Sequence, residues 1–448
     1  MGFIQVEDIE NLSSEKIDKL YKNYYNPIRY EFFKSIGVDK NFVCAKGMYV
    51  YDEEGNKYLD LLGGFGALNL GHNCSEVFDA IDKFKNRPNM LQTSKNTVAA
   101  VLANNINYIT NKNFRYCFFT NCGTETVEEA IKTAALYTKK GTIIYCKNGY
   151  HGKTLGAISA LGTEEKYNYS PLLFDFIEVP FGNIDSIREK INHNEVAAVL
   201  VEPIQGEGGI AIPSKEYFKE LRKLCNESNV VFIMDEIQTG LGRCGSMFCY
   251  EKFNVVPDIL CLSKSLSGGI IPIGCMCVKN SIWDDTYGKM KYGLILGNTF
   301  GGNTLACAAA IKTLSLIQEK NLSKNSEEVG KYLLNKLEKL KCKYDIIKDV
   351  RGMGLMIGIE FNDVKGILPK GITKVIISKI ISELMNKYHI ITSFTINNPN
   401  VLRVEPPLII NKSEADYFVD CLDRLLKDND SISKLTVSGV KNIAKNLI

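Results

Sequence analysis

Val230-Val231-Phe232-Ile233-Met234-Asp235-Glu236 and Pro257-Asp258-Ile259-Leu260-Cys261-Leu262-Ser263-Lys264 each carry a nearly unbroken apolar run into a charged residue. Runs that are apolar at consecutive positions, not alternate ones, suit strands covered on both faces. Similar runs occur at Phe114 to Thr120, Thr142 to Cys146, Ala197 to Glu202 and Gly274 to Val278, with helical patterns between them such as Glu125 to Thr138 and Ser214 to Cys225. Strands alternating with helices predict an α/β fold around a mostly parallel central sheet. The ends read differently. Met48 to Leu61 has the pattern of a hairpin turning at Glu54-Gly55-Asn56, and the chain after about residue 325 reads as helix, strands, then helix. The expected division is a large domain over 77–325 and a smaller α+β domain built from the terminal segments 1–76 and 326–448. The stretch 428–448 reads equally as an appended helix or a loose tail.

A chain of 448 residues has room for two or three domains and buries enough surface to need no disulfide or metal staple. Apolar residues make up 45% and charged residues 23%, and 54 Lys and Arg against 51 Asp and Glu leave a net charge of +3. That balance points to a folded globular chain and away from nucleic acid or an anionic membrane as partner. No apolar run approaches the roughly 20 residues of a membrane span. Met1 to Asp18 lacks the pattern of a secretory leader, and Val6 stands where a myristoylation signal requires Ser or Thr. None of the 14 cysteines forms a Cys-x-x-Cys pair, and most lie in apolar runs. They read as reduced, core-filling thiols of a cytoplasmic protein. The four histidines, His72, His151, His193 and His389, are not at metal-ligand spacing, so no metal centre is expected.

Four pieces carry candidate chemistry. In Thr120-Asn121-Cys122-Gly123-Thr124-Glu125 an apolar strand turns into a helix at Gly123. Free amides and the dipole at a helix start suit a phosphate, although a helix capped by Thr124 or Thr126 explains the same residues. Gly149-Tyr150-His151-Gly152-Lys153-Thr154 has two residues between its glycines where a nucleotide P-loop needs four, so that reading fails. Asp235 ends an apolar strand at the rim where open α/β sheets bind ligands, and a carboxylate there needs a cationic or hydrogen-bonding partner. Lys264 follows 29 residues later at the end of another such strand, ahead of Ser267-Gly268-Gly269. Alone it could be a surface lysine. Together, an amine, a carboxylate and an anion cradle are the three things pyridoxal phosphate needs.

At this point the chain resembles the class III, ornithine-aminotransferase-like family of fold-type-I pyridoxal-phosphate enzymes, from about Tyr24 to about Leu426. The resemblance rests on Asn121 to Glu125, Tyr150-His151-Gly152, Val201-Glu202-Pro203-Ile204-Gln205-Gly206-Glu207-Gly208-Gly209, Asp235-Glu236-Ile237-Gln238-Thr239-Gly240, Leu262-Ser263-Lys264 and Thr299-Phe300-Gly301-Gly302-Asn303. Within the family it is most similar to the putrescine aminotransferase branch. Leu62-Gly63-Gly64-Phe65-Gly66, Pro257 to Lys264, Gly302-Asn303 with Leu305 to Ala310, and Asn397-Asn398 ahead of Leu402-Arg403-Val404-Glu405-Pro406-Pro407 point there.

The resemblance implies roles residue by residue. Lys264 would hold the cofactor through its amine and, once displaced by substrate, move the proton between substrate carbon and cofactor. Asp235 would keep the ring nitrogen protonated, Gly123 and Thr124 would bind the phosphate, Tyr150 would stack on the ring and Gln238 would meet the ring hydroxyl. Thr299 would reach the phosphate of the other subunit, which implies a homodimer with shared active sites and dimer contacts from residues 1–76. Arg403 would bind the carboxylate of glutamate or 2-oxoglutarate and otherwise be masked by Glu207. Glu202 would line the same pocket, and Phe65 would touch the distal part of the amine. The implied reaction moves an ω-amino group from a diamine or ω-amino acid, putrescine first, to 2-oxoglutarate or pyruvate.

Some residues depart from the family pattern. Cys122 replaces a common serine and puts a side-chain contribution to phosphate in doubt. Thr304 stands where proline is usual. Gly352-Met353-Gly354 with Gly358 has a gap of three where a dinucleotide fingerprint has two, so it reads as a strand entry. Competing readings are an ornithine-, acetylornithine- or 4-aminobutyrate-type enzyme, a secondary-metabolism aminotransferase, an aminomutase or decarboxylating relative, and a silent cofactor-binding regulator.

Overall fold

The computed structural model describes residues 3–91, 93–173, 175–292, 295–362 and 372–428, so the expected tail of 428–448 lies almost wholly outside the described residues. Three sheets organise them. The N-terminal strands β1 (Phe42–Lys46), β2 (Tyr49–Asp52) and β3 (Lys57–Asp60) form an antiparallel meander. The β2–β3 turn is the expected one. Asp52 Oδ1 accepts from the amides of Glu54 and Asn56 at 3.1 and 2.9 Å, and Gly55 supplies a φ of +80°, a conformation glycine adopts without a Cβ penalty.

The large sheet contains β4 (Tyr116–Thr120), β5 (Thr142–Cys146), β6 (Phe176–Val179), β7 (Val196–Val201), β8 (Val231–Asp235), β9 (Ile259–Leu262) and β10 (Gly274–Val278). Its order is β4-β10-β9-β8-β7-β5-β6, parallel except for β10, which runs antiparallel to both neighbours. This is the mixed α/β, mostly parallel architecture expected of a fold-type-I pyridoxal-phosphate transferase. Every residue of β5, β7, β8, β9 and β10 is buried, which explains why their sequences do not alternate. The strand boundaries fall within two residues of those read from the sequence, but β6 went unread. It is a four-residue edge strand with an exposed Glu178, too short and too mixed to produce a continuous apolar signal.

The third sheet has the order β11 (Ile347–Met353), β12 (Met356–Phe361), β15 (Val401–Val404), β14 (Ser393–Phe394), all antiparallel. Gly352-Met353-Gly354 falls at the β11–β12 turn, where Gly354 has a φ of +58°. β13 (Ile390–Ile391) pairs in parallel with β3, so strands from the two ends of the chain share one sheet. Among the described residues no helix is long and apolar enough to cross a membrane.

Candidate active site

The C-terminal ends of β4, β8 and β9 open on a cavity of about 540 Å³ lined by Asn121, Gly123, Thr124, Tyr150, His151, Glu202, Asp235, Gln238 and Lys264, among others. Its position is the one parallel sheets offer for ligands. The helix Gly123–Thr138 starts at its wall with no side chain capping it. Thr126 instead donates back to the Cys122 carbonyl at 3.1 Å, and Thr124 Oγ1 lies 2.7 Å from Thr154 Oγ1. Neither threonine caps, so the capped-helix reading is set aside, and the uncapped first turn borders the cavity, an arrangement that suits an anion. Glu125 holds the entering chain by accepting from the Asn121 backbone and side-chain amides at 2.8 and 3.0 Å.

Asp235 is buried at the end of β8. Its Oδ1 accepts from the Ile237 amide at 3.0 Å and its Oδ2 accepts from His151 Nδ1 at 2.8 Å. Burial works against a charge on His151, but the Asp235 bond and the charges of Asp235 and Glu202 outweigh it and raise the imidazole pKa. His151 Nε2 is buried without a protein partner. Glu202, just beyond β7, accepts from the Tyr150 and Gly206 amides at 3.0 Å each. Burial, aided by Asp235 and opposed by His151 and those amides, pushes its carboxyl up to about 7.

Lys264 follows β9 with a φ of +39°, a left-handed geometry that non-glycine residues rarely adopt and that tends to mark functional sites. Burial lowers its amine pKa, and Glu405, Glu207 and Asp235 only partly oppose that. An amine depressed in this way is a better nucleophile and base near neutral pH.

Beside this cavity lies a second group. Arg403, fully buried on β15, places Nη2 2.6 Å from Glu207 Oε2 and Nη1 3.4 Å from Glu405 Oε2. Its guanidinium carbon lies 5.3 Å from the ring centroid of Phe65, within cation–π range. Glu207 also accepts from the Ile396 amide at 2.9 Å. Gln238 joins the two groups, donating from Nε2 to Glu405 Oε2 at 3.0 Å and to the Phe65 carbonyl at 3.3 Å. A Cβ at Gly206 would displace Gln238 Oε1, so the glycine leaves room for this Gln238 position. Phe65, Glu207 and Arg403 flank the cavity without lining it. Thr299 lies outside it, in the 296–303 loop along a separate cavity of about 370 Å³. Asn121 Nδ2 donates to Asn298 Oδ1 at 2.9 Å and ties that loop to the cradle.

Two residues had no assigned role in the sequence reading. Glu405 sits two positions after Arg403, and residues at i and i+2 of an extended chain share a side; that spacing was the available signal. His151 lay in a motif that failed as a P-loop and then carried the family resemblance, with a role implied only for its neighbour Tyr150.

A depressed amine, a carboxylate bonded to a buried imidazole and an uncapped helix start around one cavity define a site of the pyridoxal-phosphate transferase class. Comparison with known proteins gives the family. The model described as Aminotransferase class-III matches residues 37–426. Aminotransferase PigE of Serratia sp. (strain ATCC 39006) is 33% identical over 461 aligned positions, which cover 94% of this chain and 54% of PigE. The chain therefore spans about half the length of that relative. Ornithine aminotransferase from Toxoplasma gondii ME49 superposes with a TM-score of 0.84 at 28% identity, over 96% of this chain and 100% of that one. A transaminase from the marine bacterium Virgibacillus superposes with a TM-score of 0.85 at 28% identity, over 92% of this chain and 98% of its own. The chain belongs to the class III aminotransferase family, whose members are pyridoxal-phosphate-dependent transaminases. Another structure of the Toxoplasma enzyme is described with that cofactor at its active site. The residues here fit the group: cradle, carboxylate and amine border one cavity of a size usual for cofactors.

Proposed function

We propose that this chain transfers an ω-amino group from a diamine, putrescine-like in length, to 2-oxoglutarate or pyruvate, as a cytoplasmic homodimer. The observation that carries the substrate reading is Arg403 buried between two carboxylates, Glu207 and Glu405. One cation against two anions leaves this end of the pocket net negative, which complements the distal ammonium of a diamine. Phe65 offers an apolar face to the methylene chain. A keto acid replaces Glu207 on Arg403 while Glu405 stays, so the guanidinium is never stripped of partners, a loss that costs about 3–5 kcal/mol for a buried pair.

Bound pyridoxal phosphate supplies the electron sink for breaking the substrate C–H bond. Gly123 and Thr124 would bind its phosphate, Asp235 with His151 in support would pair with its ring nitrogen, and Tyr150 and Gln238 would hold its ring and ring hydroxyl. Lys264 anchors the cofactor and then moves the proton at the substrate carbon. Thr299 closes the phosphate site of the partner subunit. The name of the superposed ornithine aminotransferase supports ω-amino-group transfer in general, which both the diamine and the ω-amino-acid readings share.

The test is a screen of amines against keto acids on purified protein. Diamines should be the best donors, with glutamate or alanine formed and no carbon dioxide released. A preference for ω-amino acids would favour the ornithine- or 4-aminobutyrate-type reading. Release of carbon dioxide would overturn transamination, and no turnover with any pair despite bound cofactor would leave a silent binding protein. Glu405→Gln should shift the specificity ratio from diamines towards ω-amino acids by about tenfold, or ~1.4 kcal/mol; an unchanged ratio would remove the charge argument.

Glu202 gives a pH signature. Its folded-state value of about 7 lies above the ordinary 4.5, so the fold favours the neutral form. Its contribution to stability is full below about 4.5 and is lost as the pH rises through about 7. Over the upper part of that window the pocket gains a negative charge. From about pH 6 to 8, kcat/KM for the diamine should therefore rise, and KM for the keto acid should increase about three- to tenfold. Glu202→Gln should flatten the keto-acid KM profile, which steady-state kinetics would read.

A further inference from the structure

Strand pairing brings together three cysteines that are far apart in the sequence. Cys277 on β10 lies directly opposite Cys117 on β4, and Cys275 lies two residues from Cys277 on the same face. The three sulfurs lie within 4.8 Å of one another, with Cys275 Sγ and Cys277 Sγ 3.6 Å apart. Among the described residues no other trio of His, Cys, Asp or Glu is so placed. Cys275 and Cys277 are fully buried, whereas half-buried Cys117 lines the 370 Å³ cavity beneath the 296–303 loop. The cluster therefore has a closed base and, in Cys117, one residue that borders a cavity. Hydrogen bonds from Cys275 and Cys277 pull the Cys117 thiol down to about 5, against the effect of burial.

The spacing suits one central atom. An ion with metal–sulfur bonds of about 2.3 Å in a trigonal arrangement holds its sulfurs about 4.0 Å apart. Charge selects among soft ions. Cys275 and Cys277 belong to the main apolar core and Cys117 packs against it. A charged complex in this apolar setting would be strongly disfavoured. Three thiolates around a monovalent or divalent ion remain anionic, and zinc would also seek a fourth ligand. Three thiolates around a trivalent centre are neutral.

We propose that Cys117, Cys275 and Cys277 form a three-thiolate site for a trivalent thiophilic metalloid. With arsenite as probe, As(OH)3 and three thiols give As(S)3 and three waters. Three As–O and three S–H bonds break, three As–S and three O–H bonds form, and no oxidation state changes. Cys117 is the entry point, and the two buried thiols complete the site.

The experiment uses the reduced holoprotein with one equivalent of arsenite. Intact mass should rise by one arsenic less three hydrogens, the signature of three sulfur bonds. Cys117→Ser should lose that species and bind arsenite at least tenfold more weakly, with cofactor absorbance and circular dichroism unchanged. Cys277→Ala provides a second route to the same loss. The buried pair Cys244 and Cys249 can supply only two sulfurs, which would leave a hydroxyl on the arsenic and a different mass. No adduct, a two-sulfur adduct alone, or a three-sulfur adduct surviving in Cys117→Ser would overturn the proposal.

Discussion

Lys264→Ala should reduce amino-group transfer by at least about 10⁴-fold, the upper range for loss of a positioned acid–base group. The argument rests on position and environment. Lys264 follows β9 in a left-handed turn on the cavity it shares with Asp235, and burial depresses its amine. No other lysine among the described residues combines burial on that cavity with a depressed pKa. Lys153 also lines the cavity, but it belongs to the Gly149–Thr154 loop and lacks the strand-end support that fixes Lys264. The variant should still retain some cofactor through the Gly123–Thr124 cradle, so the loss would be chemical and not one of binding. Steady-state turnover gives the rate. Borohydride reduction followed by peptide mapping tests the attachment: label should appear at position 264 in the wild type and vanish in the variant. Near-normal turnover in Lys264→Ala would discard the mechanism.

The parts of the fold that could be read from the sequence are those where one physical cause acts alone. β8 and β9 are buried on both faces, so their residues are uniformly apolar, and the charged residue closing each run marks the strand end at the cavity rim. The β2–β3 turn was legible because Asp52 and Gly55 impose local geometry that depends on no distant partner. β6 was missed because an edge strand with one wet face needs no apolar run. Contacts between distant segments escaped for a different reason. Nothing near Cys117 in the sequence signals that β10 will lie against it, or that Glu405 will share Arg403 with Glu207, 198 residues before it. The Arg403–Glu207 pair itself came from resemblance to a family. Local pattern would have left Arg403 a surface residue beside two prolines, yet it is among the largest fully buried side chains.

Asp235→Asn is expected to lower kcat by about 10²–10³-fold, the usual cost of removing one preorganised electrostatic partner from a reacting centre. In the wild type both carboxylate oxygens are already anchored, Oδ1 by the Ile237 amide and Oδ2 by His151 Nδ1. This holds the carboxylate at a fixed place, where it would support the cofactor's role as electron sink. Asparagine preserves shape and can still accept from Ile237. It would present an NH2 group to His151 Nδ1, forcing the other imidazole tautomer, and would remove the negative charge that stabilises a protonated ring nitrogen. The effect should therefore fall on kcat, with KM for the amine changing little, because Glu207 and Glu405, the carboxylates proposed to set amine preference, are untouched. His151→Gln separates positioning from charge. It keeps the Asp235 carboxyl group but removes part of its support, so it should cost only about tenfold and should alter the pH dependence of the cofactor absorption band. A purely structural histidine would lower thermal stability without moving that band. If Asp235→Asn turned over at the wild-type rate with full cofactor occupancy, the strand-end carboxylate would have no part in the chemistry, and the placement of the ring against β8 would have to be abandoned.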